Sequence, residues 1–209
     1  MIRRQTRRLA LSAGAAAALL LAACSGDDPT RFYTLVRPVP ATPAVAGQAA
    51  FAIDVQPVRV PAQVNQPELV VRQGDGEVAL VESRRWIAPL PDEVRGAIAA
   101  EVGAGLGARD VSQVAPPDGV PVYRILVDLQ RFDAQIASDV RIEAVWTVID
   151  VSLGAKARWT CATSVTTPVG PGYGALVDGA QQGLAKVSAD IAALIRGAQQ
   201  DRKAVRCAS

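Results

Sequence analysis

The chain has 209 residues, 22 Lys+Arg against 20 Asp+Glu, half of its residues apolar and only 4% aromatic. It contains no histidine, which excludes Ser-His-Asp and Cys-His nucleophiles, His-ligated zinc and a His general base. Length and apolar content fit one domain of about 150 residues, with an aliphatic core of Ala, Val, Leu and Ile large enough to fold without a metal.

Arg3, Arg4, Arg7 and Arg8 precede an apolar run over 9–21, which ends in Ala22-Ala23-Cys24. This order is that of a signal peptide over 1–23, with a basic n-region, an h-region and a small-residue cleavage site. The run is too short and too rich in alanine for a membrane span. Leu21-Ala22-Ala23-Cys24 matches the bacterial lipobox, in which cleavage precedes an acylated cysteine, so Cys24 is the expected lipidation site. The alternative is an ordinary secretory signal with a chance cysteine. It explains less, because Cys24 directly follows the small residues and leads into the polar stretch Ser25-Gly26-Asp27-Asp28. Several acyl chains on one residue anchor a protein stably, whereas one chain holds only marginally. Ser25, standing where an Asp would retain the protein at the inner membrane, resembles Gram-negative lipoproteins sorted to the periplasmic face of the outer membrane. Thr6-Arg7-Arg8-Leu9 also has the look of a twin-arginine signal; Sec export with a basic n-region is the simpler reading. Removing 1–23 leaves 18 basic against 20 acidic groups. With only Lys156, Lys186 and Lys203 as lysines, a nucleic-acid partner is excluded for want of a basic cluster.

Residues 24–50 read as a lipidated N-terminus followed by a Pro/Ala linker, with three prolines in 37–50 and no helical pattern. The domain proper is expected over 51–197, with 198–209 as a tail. Phe51, Ile53 and Val55 alternate as on a half-buried strand, and Pro57 and Pro61 mark a sheet edge or a strand end. Strands over 69–72 and 77–81 flank Gln73-Gly74-Asp75-Gly76, a connection of hairpin length. Val94, Ile98, Val102 and Leu106 then recur every four residues, with Asp92 and Glu93 where they complement a helix dipole. Gly103, Gly105 and Gly107 are expected to end that helix. Tyr123, Ile125, Val127 and Leu129 alternate within 122–131. Two more β-rich runs, 140–153 and 156–166, are joined by short links such as Leu153-Gly154-Ala155, which makes an antiparallel meander. After a Pro/Gly segment at 168–172, Leu176, Ala180, Leu184, Val187, Ile191 and Leu194 trace one stripe of a helix over about 173–195. The expected fold is mixed α/β: a single domain with a largely antiparallel mixed sheet, including a C-terminal three-stranded meander, packed by two long amphipathic helices.

With Cys24 lipidated, Cys161 and Cys207 meet an oxidising compartment. They lie 46 positions apart, and a bridge closing that loop stabilises by about 4 kcal/mol in the chain-entropy model. Pairing is the favoured reading; the alternative is a buried strand Cys161 and a free Cys207 in a frayed tail. No catalytic constellation is visible. Gly-x-Ser-x-Gly and Ser-x-x-Lys spacings are missing, and the glycines at 170–179 lack the Gly-Lys-Ser/Thr of a phosphate loop. Asp54, Asp128, Asp133, Asp139 and Asp150 read as solvent-facing strand or turn residues rather than a paired acid/base site. No cofactor or metal site is expected. The most distinctive cluster is Arg84-Arg85-Trp86. It could anchor a partner interface, since Arg and Trp are enriched at hot spots; alternatively, Trp86 covers the helix entry in the core while both arginines snorkel, the stronger reading for Trp86.

A series of motifs resembles the PqiC (YmbA) family of ABC-transport auxiliary lipoproteins: Phe32-Tyr33-Thr34-Leu35, Val55-Gln56-Pro57-Val58-Arg59-Val60-Pro61, Asn65-Gln66-Pro67-Glu68-Leu69-Val70-Val71-Arg72 and Arg85-Trp86-Ile87-Ala88-Pro89-Leu90. Tyr173-Gly174-Ala175-Leu176-Val177 and Val187-Ser188-Ala189-Asp190-Ile191-Ala192 in the final helix are similar as well. Ile87-Ala88 stands where the family commonly has Ala-Glu, so no charge-dependent role is carried to that site. The resemblance, over about 32–196, implies a non-catalytic lipoprotein at the outer membrane. Its partner would be an MCE-family periplasmic protein of a lipid transport system, and through it an inner-membrane permease and ATPase. It also implies a homo-oligomer, for which a ring would suit a tunnel-like partner. The competing function is a structural envelope lipoprotein that supports a secretion or division complex.

Overall fold

In chain order the elements are β1 (Arg31–Tyr33), β2 (Ala52–Val55), a 3-10 turn (Ala62–Val64), β3 (Glu68–Arg72), β4 (Val78–Trp86), α1 (Leu90–Leu106), β5 (Val122–Ala134), β6 (Asp139–Asp150), a second 3-10 turn (Val151–Leu153), β7 (Ala157–Pro168) and α2 (Tyr173–Gln200). The structure, a computed structural model, describes residues 28–38, 49–116, 118–153 and 157–207. The expected signal peptide, Cys24, most of the Pro/Ala linker and the Gly154-Ala155 link lie outside the described residues.

The expected mixed α/β class holds, with the strands divided between two sheets. One has the order β1-β4-β3 and the other β2-β5-β6-β7. β5, β6 and β7 form the antiparallel meander, and β2 adds to it in parallel. The residues Arg31–Ser209 form one compact unit.

The meander follows from alternation. Val140, Ile142, Ala144, Trp146 and Val148 of β6 are buried on one face, together with Tyr123, Ile125, Val127 and Leu129 of β5. α2 covers this face with Leu176, Ala180, Leu184, Val187, Ile191 and Ile195. The helix can come close because an added Cβ at Gly179 would collide with Val169, and one at Gly183 would meet Ile142 Cδ1 at 2.8 Å. Opposite the helix, the sheet leaves Leu126 and Val145 partly exposed.

Helix ends obey local chemistry. α1 starts after Pro89, with Pro91 in its first turn, where a missing N–H costs nothing. It stops at Gly107, whose φ of 63° is the left-handed cap conformation and whose N–H bonds to Gly103 O. α2 runs to Gln200, beyond the expected end near Ile195, because buried Ala198 prolongs the stripe and Gln199 donates to the Tyr123 hydroxyl.

Three strand readings are corrected. β2 is buried on both faces rather than half-buried. Its outer side is closed by residues 109–111, through Ile53 N–H to Arg109 O and Val111 N–H to Ile53 O. β4 extends through Arg84-Arg85-Trp86, and β5 runs past Arg131 to Ala134. Both extensions follow a bulge: the β3–β4 register shifts between Glu68 and Leu69, and the β5–β6 register between Leu129 and Arg131. β4 carries three extra residues there (82–84) and β5 one (Gln130); an odd insertion moves every later side chain to the other face, so the alternation breaks although the strand continues.

Candidate functional site

The two bulges give the Arg84-Arg85-Trp86 cluster its geometry. After the shift, Trp86 turns inward and is buried. Its ring meets Phe132, which follows the β5 bulge, edge to face at 6.4 Å between centroids. Arg84 is buried beside it, with its guanidinium 5.3 Å from the centre of the Tyr173 ring and Nη1 donating to Ser83 O at 2.8 Å. Arg85 faces outward and pairs with Glu68 across the register at 2.6 Å. The cluster is therefore divided: Trp86 lies in the seam between the sheets, as its core reading anticipates, whereas Arg84, expected to snorkel to water, is buried against Tyr173 at the start of α2. Only Arg85 keeps a surface position.

Next to that seam lies a charged crevice of about 370 Å³ lined by Arg72, Asp75, Arg131, Asp133, Asp139 and Arg141, among others. Its strands converge because β3 lies beside the far end of β5. Asp133 accepts from Arg72 at 3.1 Å and from Arg131 at 3.2 Å. Arg131 also reaches Glu143 at 2.8 Å, and Arg141 pairs with Asp139 at 3.0 Å. The hydrogen bond to Asp139, and then that carboxylate's charge, hold the Arg141 guanidinium above its ordinary pKa. The carboxylates of Asp133 and Asp139 already accept from arginines, and Asp75 offers Arg72 its backbone carbonyl. Such a surface suits exchange of ion pairs with a charged partner more than proton transfer, which needs a group poised between two protonation states.

The expected aspartates divide in the same way. Asp128 pairs with Arg59 at 2.9 Å, and Asp54 with Arg124 at 2.8 Å. The solvent-facing reading fails for Asp54, which is buried, and for Asp150, which is 0% exposed. Asp150 accepts from the backbone and hydroxyl of Ser152 and pairs with Arg202 at 3.0 Å. Arg202 lies just beyond α2, where the Cys161–Cys207 disulfide, with Cα atoms 5.6 Å apart, ties the chain's end to β7. The favoured pairing of the two cysteines is thus present.

Sequence reasoning missed a clamp on the N-terminal segment. Glu93, placed at the helix start for its charge, is buried and accepts from Thr34 Oγ1 and from Leu35 N–H, both at 2.7 Å. Arg37 pairs with Glu101, about two turns further along α1, at 2.7 Å. Together they hold β1 and residues 34–37 on α1. An acid in a helix's first turn is visible in sequence; its partner 58 positions away is not. Among the described residues, no group of three His, Cys, Asp or Glu side chains is arranged to hold a metal ion, and no helix is long and apolar enough to cross a membrane.

No curated protein matches the chain. Among solved structures, it is similar to an uncharacterized protein at 20% identity and TM-score 0.63, covering 80% of this chain and 99% of that one. It is also similar to a DUF330 protein from Xanthomonas campestris at 21% identity and TM-score 0.55, covering 84% and 97%. A PelC dodecamer from Paraburkholderia phytofirmans matches less well, at 16% identity and TM-score 0.39 over 69% and 88%. The family model described as "ABC-type transport auxiliary lipoprotein component" matches residues 33–192. That span runs from the last residue of β1 into the last third of α2 and takes in the seam, the crevice and the Glu93 clamp; the chain belongs to the ABC-type transport auxiliary lipoprotein family.

Proposed function

We propose that the mature chain is a non-catalytic docking subunit, held by acyl chains on Cys24 at the periplasmic face of the outer membrane. There it receives the MCE-family periplasmic protein of a lipid transport system, and so supports the integrity of the envelope. The permease and ATPase in the inner membrane are reached only through that partner. The observation that carries this reading is the family match over 33–192, which covers nearly all of the folded unit. It is supported by the lipobox Leu21-Ala22-Ala23-Cys24 and by the crevice, whose paired charges offer a partner ion-pair exchange rather than chemistry. Self-assembly into a ring belongs to the same reading.

Co-isolation tests it. The lipidated protein, extracted in mild detergent, is expected to retain the MCE protein encoded nearby, and native mass measurement to give a multiple of the protomer mass. No association with folded MCE protein in excess overturns the docking role. Cys24→Ala is expected to abolish palmitate labelling; labelling that survives overturns the anchor assignment.

A further inference from the structure

We infer that the outer face of the β1–β4 pair, centred on Phe32 and Ile87, rests on the phospholipid surface in which the Cys24 anchor is embedded. The inference builds on the anchor reading above and adds to it a second, noncovalent contact with the membrane.

Register defines the face. Tyr33 is the Cα partner of Trp86 and Phe32 of Arg85. Trp86 points into the core, so its neighbours Arg85 and Ile87 point outward, and Phe32 lies on their side. Ile87 prolongs the pairing through its N–H to Tyr33 O at 2.9 Å. Phe32 is 59% exposed and Ile87 62%, the two largest apolar exposures in this part of the fold. Exposed apolar groups gathered on one face within a polar rim mark contact sites, membranes included. Here the rim is the Arg85–Glu68 pair.

Chain length selects the occupant. Seven peptide links separate Cys24 from Arg31, and even a fully extended chain of that length spans only roughly 23–25 Å. The end of this short tether does not wander over the domain, because Glu93 holds Thr34 and Leu35, and Glu101 holds Arg37. An acylated Cys24 therefore keeps β1 close to the bilayer surface, and Phe32 is the first large apolar side chain the tether delivers. Phe and Ile at that depth leave water for the acyl boundary, a transfer that is favourable in proportion to the apolar area removed.

The test uses the full mature lipoprotein reconstituted into vesicles of phosphatidylethanolamine and phosphatidylglycerol. F32W is expected to add a blue-shifted emission that is largely lost when the phospholipids carry bromine on their acyl chains. V145W, on the open face of the four-stranded sheet, is expected to stay unquenched. An F32W emission that remains water-exposed overturns the inference, as does one that is blue-shifted but unquenched while a second copy covers the face. Equal quenching of V145W overturns it too, because no face is then chosen. Intact mass separates the two readings. A lipidated protein with unquenched F32W removes only the membrane face, whereas an unmodified Cys24 removes the anchor and this inference with it.

Discussion

The meander and the seam between the two sheets use the same aromatic and aliphatic residue types to different ends. In the meander, Trp146 is buried on a regular stretch of ladder, paired with Val127 and Cys161, and its indole N–H donates to Thr163 at 3.0 Å, which in turn donates to Asp190 of α2 at 2.9 Å. In the seam, Trp86 reaches the core only because a bulge turns it there, and its ring partner Phe132 arrives by a second bulge. The first arrangement is made by neighbours in sequence joined by short connections, so its order is largely local. The second depends on β1, β3, β4 and the end of β5 arriving together, and so carries loop-closure cost before its contacts form. The meander with α2 is therefore expected to be the more stable unit and the seam the first to open.

Substitutions can break that comparison. Trp146→Ala leaves a cavity and takes the indole donor from Thr163, which keeps its bond to Asp190, and is expected to cost about 5 kcal/mol, the upper end for a buried aromatic, read by urea unfolding. Removing the disulfide as Cys161→Ala with Cys207→Ala is expected to cost about 4 kcal/mol by the chain-entropy estimate. A negligible loss would mean that the end of the chain is no part of the meander unit. Trp86→Ala is expected to cost about 3 kcal/mol, the lower end of the same range. It is also expected to raise amide exchange in β1, β3 and β4 while β6 stays protected. If Trp86→Ala costs as much as Trp146→Ala and exposes β6 equally, the seam and the meander unfold as one.

Glu93→Ala sharpens the comparison at the N-terminal edge. It removes the acceptor of two hydrogen bonds to a charged group, and the expected loss is about 2 kcal/mol. Exchange at the Leu35 amide is the specific readout. Glu93→Gln keeps a carbonyl acceptor and is expected to restore part of the protection.

What the residues alone revealed follows the same division. Period-two alternation exposed the meander because β5, β6 and β7 are covered by a helix on one side and open on the other. Period-four spacing exposed α1 and its glycine end. The reach of β4 through Arg84-Arg85-Trp86 was hidden, since a bulge reverses the pattern in the middle of the strand and imitates a strand end. β1 has only Arg31–Tyr33 in its ladder and pairs in parallel with residues more than fifty positions away, so no local signal announces it. The disulfide was legible from compartment and cysteine count. The burial of Asp150 was not, because it depends on Arg202 arriving from beyond α2. Of the candidate docking surface, the arginines were visible as residues but not as a crevice. Their meeting needs the two sheets to converge.

The smallest effect concerns how β2 is prolonged. Arg59 forms an ion pair with Asp128 at 2.9 Å, yet its side chain is 81% exposed, and exposed pairs of this kind contribute about 0–1 kcal/mol. Arg59→Ala is accordingly expected to shift the unfolding midpoint barely at all. The backbone at the same position has a different role: Arg59 N–H donates to Val127 O at 3.3 Å, and Leu129 N–H donates to Arg59 O at 2.9 Å. These bonds continue the parallel edge beyond β2 up to the residue where β5 bulges. Arg59→Pro removes the donor and is expected to cost about 1–3 kcal/mol, with faster exchange at Leu129. A proline variant no worse than the alanine variant would mean that the edge past Val55 adds nothing to the meander. The bulge at Leu129 would then be set by β6 alone.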